Sequence, residues 1–231
     1  MSQHTLARRM LVIGVPVAFA VLSVFHPIPD PIAGLADEVN WWITQHALQI
    51  PMFLLMGCAI LALGWASSGR AATVSRVAAL VFIAFYPAYD AFAGLGSGYL
   101  VRHAEGTDAA TQSVVFEATA GIFDSPINTG LYAIGTLAWM VAVVSLGVAL
   151  RRGPGGLAVT ILFIASALTL IDHGGVFGAV SFGLFAVGAA LHTFARISGP
   201  GPDDSAASTA AVSVIGASST SPAPSAEEPG D

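Results

Sequence analysis

Asp90 stands inside an apolar run, Val77 to Leu95, with Tyr86 and Tyr89 just before it. A carboxylate in such a run is costly unless it faces a partner, the interior of a bundle or water. At helical spacing Tyr86, Asp90 and Ala93 share one face, which stacks a phenol one turn below the carboxylate. A second apolar run carries Trp42, His46 and Gln49 in the same register, just before Pro51. A third carries Ser166 and Thr169 and ends in Asp172-His173-Gly174-Gly175, a polar stripe running into a glycine turn. Glu117, Gly121 and Asp124 align along one side of a further short segment. These residue types suit acid–base chemistry in an apolar setting, with Asp90, Glu117, Asp172, His46 and His173 as candidate catalytic groups. Tyr86, Tyr89, Trp42 and Gln49 are the candidates to line a substrate.

Two other chemistries are open to the same residues. His26, His46, His103 and His173, with Asp90 or Asp172, are suitable metal donors, but no HxH, HxxxH or HExxH pair concentrates them. The sequence therefore assigns no metal ligands. A haem held between His46 and His173 leaves no spacing signature, so the cofactor stays unknown at this stage.

The elements that must position these groups are membrane spans. The chain is 55% hydrophobic and only 10% charged, against about 25% charged in an ordinary soluble domain. Six runs approach the roughly 20 residues of helix that cross a bilayer core: Met10 to Phe25, Thr44 to Trp65, Val77 to Leu95, Thr129 to Leu150, Leu157 to Ile171 and Val176 to Ala195. The expected fold is all-α, a polytopic six-helix bundle over 1–197. The first run, preceded by Arg8 and Arg9, also resembles a signal peptide with a tolerable cleavage site at Gly34-Leu35-Ala36. The prolines before that site and the five later spans favour a retained anchor.

All eight basic residues are arginine. With the N-terminus inside, seven of them fall on the cytoplasmic side and only Arg102 lies outside. Both termini are accordingly expected in the cytoplasm of a cell-membrane protein. Rise per residue then sets depth. From Arg76, Tyr86 lies ~15 Å and Asp90 ~21 Å along; from Arg152, Asp172 lies ~30 Å along; from Arg9, His26 lies ~25 Å along. The polar groups converge on the outer third of the bundle, where His46, Asp90 and His173 are expected to line one cavity.

Pro27 to Trp42 reads as an extended outer loop with Trp41-Trp42 as an interfacial anchor. The Gly96 to Asn128 loop reads as holding a short surface helix. Thr107 is the expected cap of that helix, Asp108 its first-turn acid, and Val114, Val115, Phe116 and Ile122 its buried side. Gly174, Gly178 and Gly183 are expected to let helices approach closely. Apart from the short Val212 to Ile215 patch, residues 198–231 are Ser, Ala, Pro, Gly, Thr and acids, a composition that reads as a disordered cytoplasmic tail. The near-neutral charge of the remainder argues against nucleic acid as a partner. Cys58, the single cysteine, cannot form an intramolecular disulfide.

His26-Pro27, Trp42 with His46, Tyr89-Asp90-Ala91 and the arginine-only, alanine- and glycine-rich usage resemble small multi-pass membrane proteins of high-GC actinobacteria. That resemblance implies the six spans and no activity. Small integral-membrane terpene cyclases are similar in size and in placing two acids in an apolar bundle, and they suggest a lipid-like or isoprenoid substrate. No residue takes a role from them, because their motif is not matched here. Beside such a cyclase, lyase or isomerase stand a non-catalytic accessory subunit bound to a membrane partner or to its own copy, a haem or metal redox protein, and a small transporter. A transporter is expected to show repeats and broken helices at the midplane, whereas these polar groups lie shallow.

Overall fold

Long apolar segments in a membrane must satisfy their own backbone groups, and helices do so. In a computed structural model describing residues 3–27, 34–153, 155–170 and 173–195, every regular element is helical. We number them α1 (Gln3–Val24), α2 (Leu35–Gly64), α3 (Arg70–Ala104), α4 (Ala109–Phe123), α5 (Pro126–Leu150), α6 (Gly156–Thr169) and α7 (Gly175–Ala195). Five of these, α1, α2, α3, α5 and α7, are long and apolar enough to cross a membrane, while α6 is apolar but only 14 residues long. Residues 196–231, including the expected tail, lie outside the described residues, as does Asp172.

The helices close into a ring: α1 contacts α2, α2 contacts α3, α3 packs along α5, and α5, α6 and α7 follow in turn until α7 returns to α1. Lipid is as apolar as leucine, so close packing rather than water exclusion must hold such a ring together. Inside it, Phe19 stacks on Phe182 at 4.1 Å between ring centroids and meets Phe53 edge-on at 4.6 Å. Each such pair contributes roughly 0.5–1.5 kcal/mol beyond its buried area. Gly147 and Gly188 take the Thr160–Phe163 stretch of α6 at close range, and the Thr160 hydroxyl donates to the Gly147 carbonyl at 2.8 Å. Between 22% and 50% of each long helix's most apolar stretch is buried within the chain. Much of the remainder is an outward girdle that includes Val21, Leu55, Val77, Leu137 and Val187, the surface a bilayer requires.

Several expectations change. The segment Pro27 to Trp42 is not an extended loop throughout, because α2 begins at Leu35. Asp37 and Glu38, within the expected loop, occupy the first turn of α2, with a kink at Glu38 (φ −123°, ψ 15°), and negative charge is favoured at such a helix start. Leu35, Val39, Trp42 and Ile43 meanwhile form one stripe that packs with Val101. Trp42 is thus buried in a helix and is not an interfacial anchor, whereas Trp41 is exposed.

The third span does not end at Leu95 but runs on to Ala104, through Gly94, Gly96 and Gly98. Glycine weakens a helix by about 1 kcal/mol relative to alanine, which is why the pattern reads as a terminus. Here the glycines admit neighbours: a β-carbon on Gly98 would lie 2.7–2.8 Å from Ile43 and Trp42. Asp90–Gly96 forms a π-helical stretch beginning just after Pro87, a local widening often found at functional positions.

The outer-loop helix exists as α4, but its cap is Asp108, not Thr107. The Asp108 carboxylate accepts from the Thr111 backbone N–H at 3.0 Å and from its hydroxyl at 2.9 Å, and these bonds hold its pKa below the usual carboxylate range. Thr107 instead donates to the Ala104 carbonyl and closes the end of α3. Val114, expected in the buried side, is exposed; Val115, Phe116 and Ile122 are only half-buried, and Thr119 is the buried residue of α4.

Candidate functional site

Four segments meet at one end of the ring. His26 follows the end of α1, and that end is tied down by α2: the Gln45 side chain donates to the Leu22 carbonyl at 2.7 Å and the Trp41 indole donates to the Phe25 carbonyl at 2.8 Å. Leu22 lies in the last turn of α1 and Phe25 caps it; the Leu22 carbonyl also accepts from the Phe25 N–H at 3.2 Å, and the Phe25 carbonyl lies beyond the helical donors. The same two side chains therefore satisfy the terminus and aim His26. His46 comes from α2, Asp90 from the start of the π stretch in α3, and His173 from the connection between α6 and α7, just before Gly175 with its left-handed φ of +57°.

The resulting cluster is tight. The His26 ring centroid lies 5.0 Å from that of His46 and 5.0 Å from that of His173, and the His46–His173 separation is 6.2 Å. One ring nitrogen from each of the three imidazoles lies within 4.8 Å of the others. Asp90 Oδ1 approaches His173 Nε2 at 3.5 Å and His46 Nε2 at 3.8 Å. Asp90 is 1% exposed, and neither of its oxygens has a hydrogen-bond partner among the described residues. His46 and His173 are 2% and 5% exposed.

The far nitrogens of two imidazoles are engaged. His46 Nδ1 donates to the Trp42 carbonyl at 2.8 Å, so in the neutral ring Nε2 carries the lone pair and points toward Asp90. His173 Nδ1 is hydrogen-bonded to the Tyr86 hydroxyl at 3.3 Å. The His173 imidazole thus stands between Asp90, 3.5 Å from its Nε2, and the Tyr86 hydroxyl bonded to its Nδ1. Trp42 packs on His46 at 4.2 Å between centroids, and its indole donates to the Gly94 carbonyl at 2.6 Å, joining α2 to the π stretch. Two glycines make room for the rings. A β-carbon on Gly94 would overlap the His46 imidazole, and one on Gly174 would lie 2.8 Å from His26 Nδ1.

No protein-family model matches the chain, and no curated protein or solved structure matches it. Of the residues singled out in the sequence, His46, Asp90, His173, Tyr86 and Trp42 stand together. Tyr89 borders the group, 6.0 Å from His173 between centroids and 5.2 Å from Tyr132. Gln49 is fully buried, and its side-chain amide has no hydrogen-bond partner among the described residues. Glu117, expected at the mouth, lies on the exposed side of α4 with Gly121 and Asp124 and takes no part in the cluster. His103 is likewise exposed. The expected catalytic set lacked His26, although the sequence offered it as a metal donor and its depth matched that of the others. Gly94 and Gly174 carried a faint signal, glycine flanking or interrupting an apolar run.

Proposed function

We propose that the chain is a multi-pass membrane enzyme that carries out acid–base chemistry on an apolar, lipid-derived or isoprenoid-like substrate. One observation carries the reading: a fully buried carboxylate, Asp90, whose ion-pair contacts are two imidazoles, with a phenol hydrogen-bonded beyond one of them. A bundle keeps such a group inside at considerable cost, and intramembrane ionisable residues of this kind usually face a functional partner or path. In this reading Asp90 gives a proton to, or takes one from, a carbon of the substrate. His173 and Tyr86 pass the proton on, while Trp42, Tyr89 and Gln49 line the apolar chain. The net reaction is an isomerisation or cyclisation in which one C–H bond breaks and another forms, so no oxidant or reductant is consumed.

The test is to hold the full chain in nanodiscs with isoprenoid lipids in D2O and follow the lipids by mass spectrometry. Carbon-bound deuterium that accumulates with the protein, and not with empty discs, is the expected result. Its absence across isoprenoid and acyl lipids contradicts the reading.

In the same proposal α6 completes six spans and both termini lie in the cytoplasm, with α4 and the histidine cluster toward the outer face of the cell membrane. Arginine placement supports this orientation. Ser113 is exposed on α4; as Ser113→Cys in a Cys58→Ser background it should react with an impermeant thiol reagent added to intact cells. Labelling only after the cytoplasmic side is opened would reverse the topology.

A further inference from the structure

We infer that His26, His46 and His173 bind a single divalent transition-metal ion of the zinc class, with a fourth position left open beside Asp90 for a water or a substrate oxygen. This goes beyond the catalytic proposal and stands without it, because it rests on the donor set and its support. The three ring nitrogens already lie within 4.8 Å of one another, against about 3.4 Å between neighbouring donors of a tetrahedral ion with zinc–nitrogen bonds of about 2.0–2.1 Å. Small side-chain rotations cover that difference.

The imidazoles are also prepared for the task. A ligating histidine ordinarily has its second nitrogen held by a carbonyl, carboxylate or other polar group, which sets tautomer and aim. His46 has the Trp42 carbonyl on Nδ1 at 2.8 Å, and His173 has the Tyr86 hydroxyl on Nδ1 at 3.3 Å, so both present Nε2 to the same space. Gly94 and Gly174 remove the β-carbons that would otherwise fill the space taken by the His46 and His26 rings. Three imidazoles crowded together in an apolar bundle repel one another once protonated, whereas three neutral imidazoles around a cation do not.

The donor set selects the ion. Nitrogen donors with one nearby carboxylate suit zinc, cobalt, nickel or ferrous iron more than calcium or magnesium, which take oxygen. The lone cysteine, Cys58, is exposed on α2 and supplies no thiolate to favour cuprous copper. Asp90 is not among the donors that all lie within 4.8 Å of one another, and its Oδ1, 3.5 and 3.8 Å from two of the ligating nitrogens, is placed to accept a hydrogen bond from whatever fills the open position. Three protein ligands with one free site is the pattern of catalytic rather than structural zinc.

The experiment uses the full chain in detergent micelles, stripped with chelator and titrated with Zn2+ or Co2+ alone. One equivalent of zinc per chain by elemental analysis is expected, with the visible ligand-field bands of tetrahedral cobalt and a higher melting temperature with metal. His26→Gln, His46→Gln and His173→Gln should each weaken binding by more than the about 10–100-fold that loss of an outer-shell partner costs, while Asp90→Asn should stay within that range. His103→Ala, away from the cluster, should bind as the parent does. Any histidine variant that no longer melts cooperatively is replaced by the Asn variant at the same position. A parent chain that binds no metal, or histidine variants that bind as the parent does, would overturn the site. Loss of the ion in Asp90→Asn as complete as in the histidine variants would overturn the open position. None of these readouts depends on turnover, so a metal-binding chain that leaves lipids unchanged contradicts only the catalytic proposal.

Discussion

Asp90→Asn should melt close to the parent and lose solvent-deuterium transfer to lipid by a factor of about 10²–10⁴, the usual contribution of a positioned acid or base. The two halves of this expectation have separate causes. Asparagine keeps the size of aspartate, and the carboxylate oxygens make no hydrogen bond among the described residues for the amide to forfeit. Removing an ionisable carboxyl also relieves the cost that the bundle bears for holding one. The proton-carrying group, by contrast, is gone, and His173 loses its carboxyl neighbour. Leucine at the same position serves as a second variant of similar bulk that removes the polarity as well. A folded Asp90→Asn protein with parental deuterium transfer would make the carboxylate incidental; one that cannot fold while the leucine variant can would make the polar contacts, not the proton, the reason for the residue.

Gly94→Ala is expected to be strongly damaging for a change of a single methyl group. The added β-carbon would overlap the His46 imidazole, and that ring is held from behind by its bond to the Trp42 carbonyl and by packing against the indole. Neither α2 nor the π stretch can give way freely, since the Trp42 indole is bonded to the Gly94 carbonyl itself. Overpacking of this kind costs about 1–3 kcal/mol, and it displaces a member of the cluster besides. Gly183→Ala is the matching control: nothing lies within 4 Å of the β-carbon it adds, and a helix gains up to about 1 kcal/mol when glycine becomes alanine. Thermal melts of the two variants in the same detergent should therefore move in opposite directions. A Gly94→Ala protein as stable as the parent would show that His46 does not sit against α3 as described.

The helical class and the apolar length of most spans follow directly from hydropathy, because a bilayer imposes one crude requirement that composition meets or does not. Side-chain spacing carried further than the boundaries did. Trp42, His46 and Gln49 share a buried face of α2, and Tyr86, Asp90 and Ala93 share one on α3, as the helical period implies. What could not be read was how far the helices continue once hydropathy falls. Asp37 and Glu38 look like loop residues until the dipole at the start of α2 is considered, and Gly94 to Gly98 look like a terminus until the residues packed against them are known. The three-histidine arrangement was illegible for a further reason. Its members lie 20 and 127 residues apart in the chain, and only the closure of α7 onto α1 brings His26 and His173 into contact. Glu117 misled for the opposite reason, since a short helix with an acid stripe looks the same whether that stripe faces the bundle or the solvent.

Whether His26, His46 and His173 share one site is measured without any substrate by nuclear Overhauser spectroscopy of the metal-free chain, labelled only at histidine. Cross-peaks between the ring protons of His26 and those of both His46 and His173 are expected from centroid separations of 5.0 Å, with a weaker one between His46 and His173 at 6.2 Å and none from exposed His103 to the cluster. A spectrum in which the three rings show no mutual cross-peaks, while the labelled protein is folded and its other resonances are resolved, contradicts the site.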